Sequence, residues 1–186
     1  MTSSTPPAET PGERRTREAL EASGIAFEIV RHGPVRSLAE AAAARGVTPS
    51  QVIKTIVVRR GDGDFLFVLV PGDRTIAWPR LRTLLGVSRL SMPDKEVARD
   101  VTGYERGTIT PFGSLTPWPV VADSRLVDAG PVSIGGGGHG VSATVDGGDL
   151  ARILDARVAD VTDLDDPGPA GPARAAPAGP TSTRLD

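Results

Sequence analysis

The chain has 186 residues, of which 39% are hydrophobic, and a net charge of −2, which suits one folded domain of ordinary size with polar tails. It contains no cysteine, so disulfides, thiolate nucleophiles and cysteine-ligated zinc sites are excluded. No stretch approaches the roughly 18 consecutive apolar residues of a membrane span. Residues 1–12 are polar and proline-rich and lack the apolar segment of a signal peptide, so we expect a disordered arm and a cytoplasmic protein without a membrane partner.

In chain order, the sequence predicts a mixture of helices and strands, and some of the strands form hairpins. Capping residues, terminal glycines and apolar periodicity predict helices at about 13–23, 38–45, 79–85, 93–102 and 149–154. β-Branched and alternating apolar segments predict strands at 25–30, 52–58, 65–70, 75–77, 90–92, 119–123, 131–134, 141–145 and 158–161. This order indicates a single α+β domain over 13–162 with a mixed sheet, because a doubly wound parallel sheet would lack the hairpins. Proline, glycine and alanine dominate 163–186, which predicts a disordered tail.

The strand at 52–58 is apolar on both faces, yet Lys54 lies in its middle. Burying an ammonium group without a partner is costly, so this lysine requires an explanation. Only two of the 21 basic residues are lysines, and the other, Lys95, has acidic neighbours that indicate a solvated helix position. Because lysine is slim and its pKa shifts readily, one interpretation places Lys54 on the floor of a pocket. The alternative is a lysine that reaches solvent from a strand end with only its stem covered.

A run of four glycines, Gly135–Gly138, precedes His139 and Gly140. Such a run suits a backbone that approaches a ligand and offers amides to a phosphate or a developing oxyanion. The alternative is a hairpin loop without a function. The run is not a P-loop, because a strand follows it and no Gly-Lys-Ser/Thr is present. His139 is a candidate general base, hydrogen-bond donor or substrate anchor, whereas His32, which precedes Gly-Pro, is interpreted as a turn residue.

The charge distribution and the histidine spacing limit the partners and cofactors. Residues 161–186 hold four acids and two arginines, so residues 1–160 carry equal numbers of acidic and basic side chains. A general attraction to nucleic acid is therefore not indicated, and such a partner would have to be bound locally. Neither histidine has metal-ligand spacing to the other or to a carboxylate cluster, so we predict no metal and no other cofactor. No Gly-x-Ser-x-Gly motif indicates a serine nucleophile.

Four segments occur in a specific order and spacing, although each is weak alone. They are Val52-Ile53-Lys54-Thr55, the loop from Gly103 to Gly113 with Gly-x-x-x-Pro at Gly107–Pro111, the strand Pro119–Asp123, and Gly136–Gly140 with the ending from Gly148 to Val161. Together they resemble the YbaK/EbsC-type proteins, which are free-standing relatives of the editing domain inserted in bacterial prolyl-tRNA synthetase. The resemblance extends from about Glu13 to Val161. It implies a barrel-like mixed sheet flanked by helices, and hydrolysis of the ester between a wrong amino acid and the 3′ end of tRNA.

The resemblance also implies a site built from the lysine strand and two loops. It gives catalytic roles to Lys54, Gly107 and His139. It gives substrate binding to Thr55, Thr110, Pro111, Gly136, Gly137, Gly138 and Ser142. In this hypothesis Lys54 holds the terminal phosphate or polarises the ester carbonyl, and the amides of the glycine loop face the oxyanion. The Gly107–Pro111 loop forms the wall that sizes the amino-acid side chain.

Two departures from the family pattern concern the substrate. Relatives that act on cysteinyl-tRNA commonly carry Ser and Asp near the glycine loop, where this chain has Gly135 and Ser142, and His139 replaces a basic residue. The expected substrate is the 3′ end of tRNA(Pro) carrying a small wrong amino acid such as Cys or Ala, with prolyl-tRNA synthetase as a partner by family analogy. Two alternatives stay open: a non-catalytic module that binds aminoacyl-tRNA or an amino acid in the same pocket, and an enzyme that forms a Schiff base through Lys54.

Overall fold

The structure is a computed structural model that describes residues 8–165. The helices in this part are α1 (Pro11–Ser23), α2 (Leu38–Arg45), α3 (Trp78–Leu85), α4 (Lys95–Thr102) and α5 (Gly147–Ile153). The strands are β1 (Phe27–Arg31), β2 (Ile53–Gly61), β3 (Asp64–Pro71), β4 (Arg74–Ile76), β5 (Val120–Asp123), β6 (Pro131–Gly135), β7 (Val141–Asp146), β8 (Arg157–Ala159) and β9 (Thr162–Leu164). No helix among residues 8–165 is both long enough and apolar enough to cross a membrane.

The strands form three sheets, in the orders β1-β7-β6, β2-β3-β5-β8 and β4-β9. Pairing is antiparallel except in β3-β5 and β5-β8, which are parallel, so the predicted mixed α+β domain is confirmed. The expected barrel is not closed. Val52, the residue before β2, forms an isolated parallel bridge with Ser133 of β6. Among residues 8–165, this bridge is the only strand pairing between the two sheets at this point.

Strand β2 is buried on both faces, as its apolar pattern predicted. Ile53 and Val57 belong to the larger hydrophobic cluster, which also contains residues of β6, β7 and α5. Val58 belongs to a smaller cluster with residues of β4 and α3. Because side chains alternate along a strand, Thr55 shares the face of Ile53 and Val57, whereas Lys54 shares the face of Val58. The two predicted site residues on this strand therefore lie on opposite faces.

Some predicted boundaries require correction. Helix α1 begins at Pro11 instead of residue 13, because Thr10 caps it by accepting a hydrogen bond from the Glu13 amide at 3.3 Å, and proline suits the first helical position. Strand β9 pairs with β4 beyond the expected boundary at 162. The expected strand at 90–92 is reduced to one bridge between Ser91 and Arg59. Residues 1–7 and 166–186, which hold most of the predicted disordered arm and tail, lie outside the described residues.

Candidate functional site

A cleft of about 440 Å³ opens beside the glycine loop. Its walls come from the segment after β1, the last residue of α2, the 107–111 loop and the start of β7. The lining residues are His32, Gly33, Pro34, Val35, Arg45, Gly107, Gly138, His139, Gly140 and Val141. The structure thus brings together three of the predicted site residues, Gly107, Gly138 and His139, from two loops far apart in sequence.

The glycine run is needed for close packing within the chain. A Cβ atom on Gly137 would overlap Thr16 Oγ1 and the Gly12 carbonyl oxygen, both in the first turns of α1. A Cβ atom on Gly138 would lie 2.5 Å from Oε1 of Glu13. On the other side of the loop, a Cβ atom on Gly135 would lie within 3.0 Å of two carbonyl oxygens of the 107–111 loop. The loop is therefore fixed between α1 and the 107–111 loop, and any side chain would separate them.

The backbone amides of the glycine run are not all available to a ligand. The Gly136 amide donates to the Val141 carbonyl at 3.1 Å, and the Gly137 amide donates to the Thr108 carbonyl at 3.2 Å. This corrects the expectation that these two amides face a developing oxyanion. Within residues 8–165, the amides of Gly138 and His139 have no hydrogen-bond partner. These two amides, both beside the cleft, are the better candidates for oxyanion donors.

His139 is oriented by a carboxylate. Its Nε2 atom lies 2.9 Å from Oε2 of Glu105, and the two side chains are 70% and 68% exposed. A contact so exposed contributes little to stability, and its effect here is to place the Nε2 side of the ring against the carboxylate. Because the carboxylate accepts a hydrogen from Nε2, the neutral ring has its acceptor at Nδ1. That atom is the one able to take a proton.

Lys54 is half-buried, and its ammonium group is held at the turn between β3 and β4. Nζ donates to the carbonyl of Gly72 at 3.1 Å and to the carbonyl of Arg74. Burial lowers the pKa of Lys54, and the carboxylates of Asp165 and Asp73 oppose that shift. These carbonyls provide the polar partners that a lysine in an apolar strand requires. Lys54 does not line the cleft of His139, so its catalytic role stays a prediction.

Four of the other predicted substrate-binding residues are absent from the cleft lining. Thr55 points to the core face of β2, and its hydroxyl is buried without a partner among residues 8–165. Thr110 is fully buried, and its hydroxyl accepts from the Phe112 amide at 3.4 Å. Pro111 is half-buried. Ser142 is fully buried in β7 between Val30 and Gly135, and its hydroxyl has no partner in the described part of the chain. None of these four residues lines the cleft as described.

Two polar residues of the cleft were missed from the sequence. The sequence indicates a turn residue at His32, yet His32 lines the cleft, and its Nε2 atom is buried without a partner within residues 8–165. Arg45 ends α2, and its Nε atom is likewise buried and unpartnered in that range. Burial lowers the pKa of Arg45. Two features of the sequence could have drawn attention to these residues. Histidine occurs only twice in the chain, and Arg45 directly precedes Gly46, the C-terminal cap of α2.

A family profile described as the aminoacyl-tRNA editing domain matches residues 32–153, which is more than half of the chain. The chain belongs to this family. The matched region starts at His32 and ends with α5, so it contains every residue that lines the cleft of this editing domain. The family predicted from the four sequence segments is thereby confirmed.

The editing domain is similar to parts of longer proteins and to nearly the whole of a solved one. It is 36% identical over 90 residues to the proline–tRNA ligase of Desulfotalea psychrophila (strain LSv54 / DSM 12343), covering 48% of this chain and 15% of the ligase. It is 34% identical over 115 residues to that of Geobacter sp. (strain M21), covering 61% and 20%. The chain thus spans about a fifth or less of these ligases. The crystal structure of a candidate trans-editing enzyme for prolyl tRNA synthetase matches with a TM-score of 0.77 and 28% identity, covering 84% of this chain and 99% of that chain.

Proposed function

We propose that this editing domain is a trans-acting deacylase that hydrolyses the ester of tRNA(Pro) carrying a small wrong amino acid, such as Cys or Ala. The cleft that unites Gly107, Gly138 and His139 within the family's matched region carries this proposal. The similarity to proline–tRNA ligases supports tRNA(Pro) as the nucleic acid and the synthetase as a partner. A hydrophobic pocket separates side chains that differ by one methylene by only about 1–3 kcal/mol, which is why misloaded small residues need a second enzyme.

The geometry suits hydrolysis of an activated ester. Such an ester requires orientation and oxyanion stabilisation more than it requires a strong nucleophile. Water, which the ribose 2′-hydroxyl can orient, attacks the carbonyl carbon. The bond from that carbon to the 3′ oxygen breaks, the 3′ oxygen takes up a proton, and the free amino acid is released. The free amides of Gly138 and His139 donate to the oxyanion, and the His139 ring, held by Glu105, accepts the proton of the attacking group. Gly107 borders the space for the amino-acid side chain.

A local basic surface supports an RNA partner despite the balanced total charge. A groove of about 580 Å³ is lined by four arginines, Arg59, Arg60, Arg82 and Arg89, and by one acid, Asp62. Two of these arginines are paired, with Asp62 and Asp64 respectively. Arg82 and Arg89 have no ion pair among residues 8–165, so they are free to contact phosphates, which bind arginine strongly.

The test is a deacylation panel. tRNA(Pro) charged in turn with Pro, Ala, Cys and Ser is incubated with the wild type, His139→Ala and the exposed-lysine control Lys95→Ala. We expect selective loss of one mischarged species, a drop of about 100-fold or more in kcat/KM for His139→Ala, and no change for Lys95→Ala. Because the His139 side chain is 70% exposed, its removal should leave the fold intact, and thermal unfolding checks this. Loss of no species faster than in buffer would contradict the proposal.

A non-catalytic binding module is the second candidate. The amides of Gly136 and Gly137 already donate within the chain, and Lys54 is absent from the cleft lining. Both observations favour this module, because fewer catalytic groups then converge on the ester. Tight binding of a mischarged tRNA without hydrolysis would identify this function. Lys54→Ala and Lys54→Arg in the same panel test whether the ammonium group of Lys54 leaves the Gly72 and Arg74 carbonyls and contacts the substrate.

A further inference from the structure

One wall of the cleft contains a positive charge that has no counter-charge within residues 8–165. Arg45 lines the cleft and is partly buried, and it makes no hydrogen bond or ion pair within residues 8–165. Two other partly buried arginines of the domain have such partners: Arg15 donates to the Gly103 carbonyl at 2.8 Å, and Arg74 donates to the Thr162 hydroxyl at 2.7 Å. The C-terminal end of α2 favours a positive charge nearby, but it does not supply a partner for the buried Nε atom. An unpaired, partly buried guanidinium at a cleft is a site for an anionic ligand.

His32 supplies the complementary group. Its amide donates to the Gly140 carbonyl at 2.8 Å, which fixes the residue beside the glycine loop. Its Nδ1 atom lies 2.9 Å from the Gly33 carbonyl oxygen, which can only accept, so Nδ1 carries the hydrogen. In the neutral ring the buried Nε2 atom is therefore an acceptor, and it has no donor within residues 8–165. The same wall thus offers a donor fork and a single acceptor.

We propose that Arg45 binds the phosphodiester that precedes the terminal adenosine of aminoacyl-tRNA, and that His32 accepts a hydrogen bond from a hydroxyl of the terminal ribose. The inference rests on the proposed function. In an aminoacyl ester the carboxyl group is esterified and the amine is cationic, so the nearest anion to the scissile bond is this phosphodiester. The planar fork of arginine matches phosphate oxygens, whereas the imidazole acceptor matches a hydroxyl donor. A free amino acid offers the only competing anion, its carboxylate.

The test measures binding without hydrolysis. The dinucleotide cytidylyl-(3′→5′)-adenosine, adenosine and free alanine are titrated calorimetrically into the wild type, Arg45→Ala and the control Arg36→Ala. Arg36 is an exposed arginine nearby whose side chain makes no described hydrogen bond. We expect the wild type and Arg36→Ala to bind the dinucleotide about tenfold more tightly than adenosine, and Arg45→Ala to bind both equally. His32→Ala removes the acceptor and is expected to weaken the binding of adenosine but not of 2′,3′-dideoxyadenosine.

Two results would overturn the inference. One is a wild type that binds the dinucleotide no more tightly than adenosine. The other is an Arg45-dependent affinity for alanine that the dinucleotide lacks, since the carboxylate would then be the ligand. Because these titrations involve no ester, they separate the two proposals. Arg45-dependent dinucleotide binding without deacylation would support this subsite and contradict the hydrolytic function. Deacylation that Arg45→Ala leaves unchanged would support the hydrolytic function and contradict this subsite.

Discussion

Replacing Gly137 by alanine is expected to destabilise the domain and displace the glycine loop. Gly137 has φ +80°, a left-handed conformation that costs other residues about 1 kcal/mol. An added Cβ atom would also overlap Thr16 Oγ1 and the Gly12 carbonyl oxygen. Overpacking of this kind costs roughly 1–3 kcal/mol because backbone atoms must move. The free energy of unfolding should therefore fall by about 2–4 kcal/mol.

The matched control is Gly130→Ala. Gly130 has φ +69°, but no atom lies within 4 Å of an added Cβ, so this variant should lose only the conformational term of about 1 kcal/mol. Urea unfolding of both variants at equal m-values measures the difference. Deacylation per folded molecule should fall for Gly137→Ala alone. If both variants lost the same stability, packing against α1 would not be the reason for the glycine run.

Three further predictions concern a buried carboxylate, the half-buried lysine and the basic groove. Asp123 is fully buried and accepts hydrogen bonds from the Val161 amide at 3.2 Å and the Thr162 hydroxyl at 2.8 Å. Asp123→Ala should therefore lower the free energy of unfolding in urea by roughly 2–5 kcal/mol. A smaller loss would mean that water replaces the carboxylate. Because burial lowers the pKa of Lys54, the unfolded chain binds this proton more tightly, and stability should rise with pH just below 10.5. Lys54→Met should flatten that rise, and an unchanged slope would contradict this assignment. Replacing Arg82 and Arg89 by alanine should reduce the salt dependence of tRNA binding by about one to two in log–log slope, whereas an unaltered slope would place the RNA elsewhere.

Local signals in the sequence were sufficient for the boundaries of α2. Ser37 and Gly46 were expected to bound α2, and Ser37 Oγ does accept from the Glu40 amide at 3.1 Å. Gly46 adopts φ +70° at the other end. Capping depends on residues within a few positions of one another, so no tertiary information is needed. The same holds for the two-sided burial of β2, which its own residues specify.

The composition of the cleft could not be predicted in the same way. His32 reaches the glycine loop because β1 pairs with β7, a contact between segments about a hundred residues apart. Arg45 lines the cleft because of where α2 packs in the fold, and the residues next to it in the sequence do not predict that position. Lys54 was recognised as unusual, yet its partners belong to the turn between β3 and β4. A sequence pattern reveals that a polar group needs a partner, whereas the identity of that partner depends on the fold.

The glycine run connects these observations. The lack of side chains in this run indicates close approach by a ligand, yet on one side of the loop the neighbour is helix α1. Glu13 of this helix is buried and pairs with Arg31 at 2.8 Å. Helix α1 lies before the region that the family profile matches, which begins at His32. The loop beside the cleft nevertheless owes its position to this helix. The packing that fixes the glycine loop therefore extends beyond the matched region, because no side chain fits between Gly137 or Gly138 and the first turns of α1.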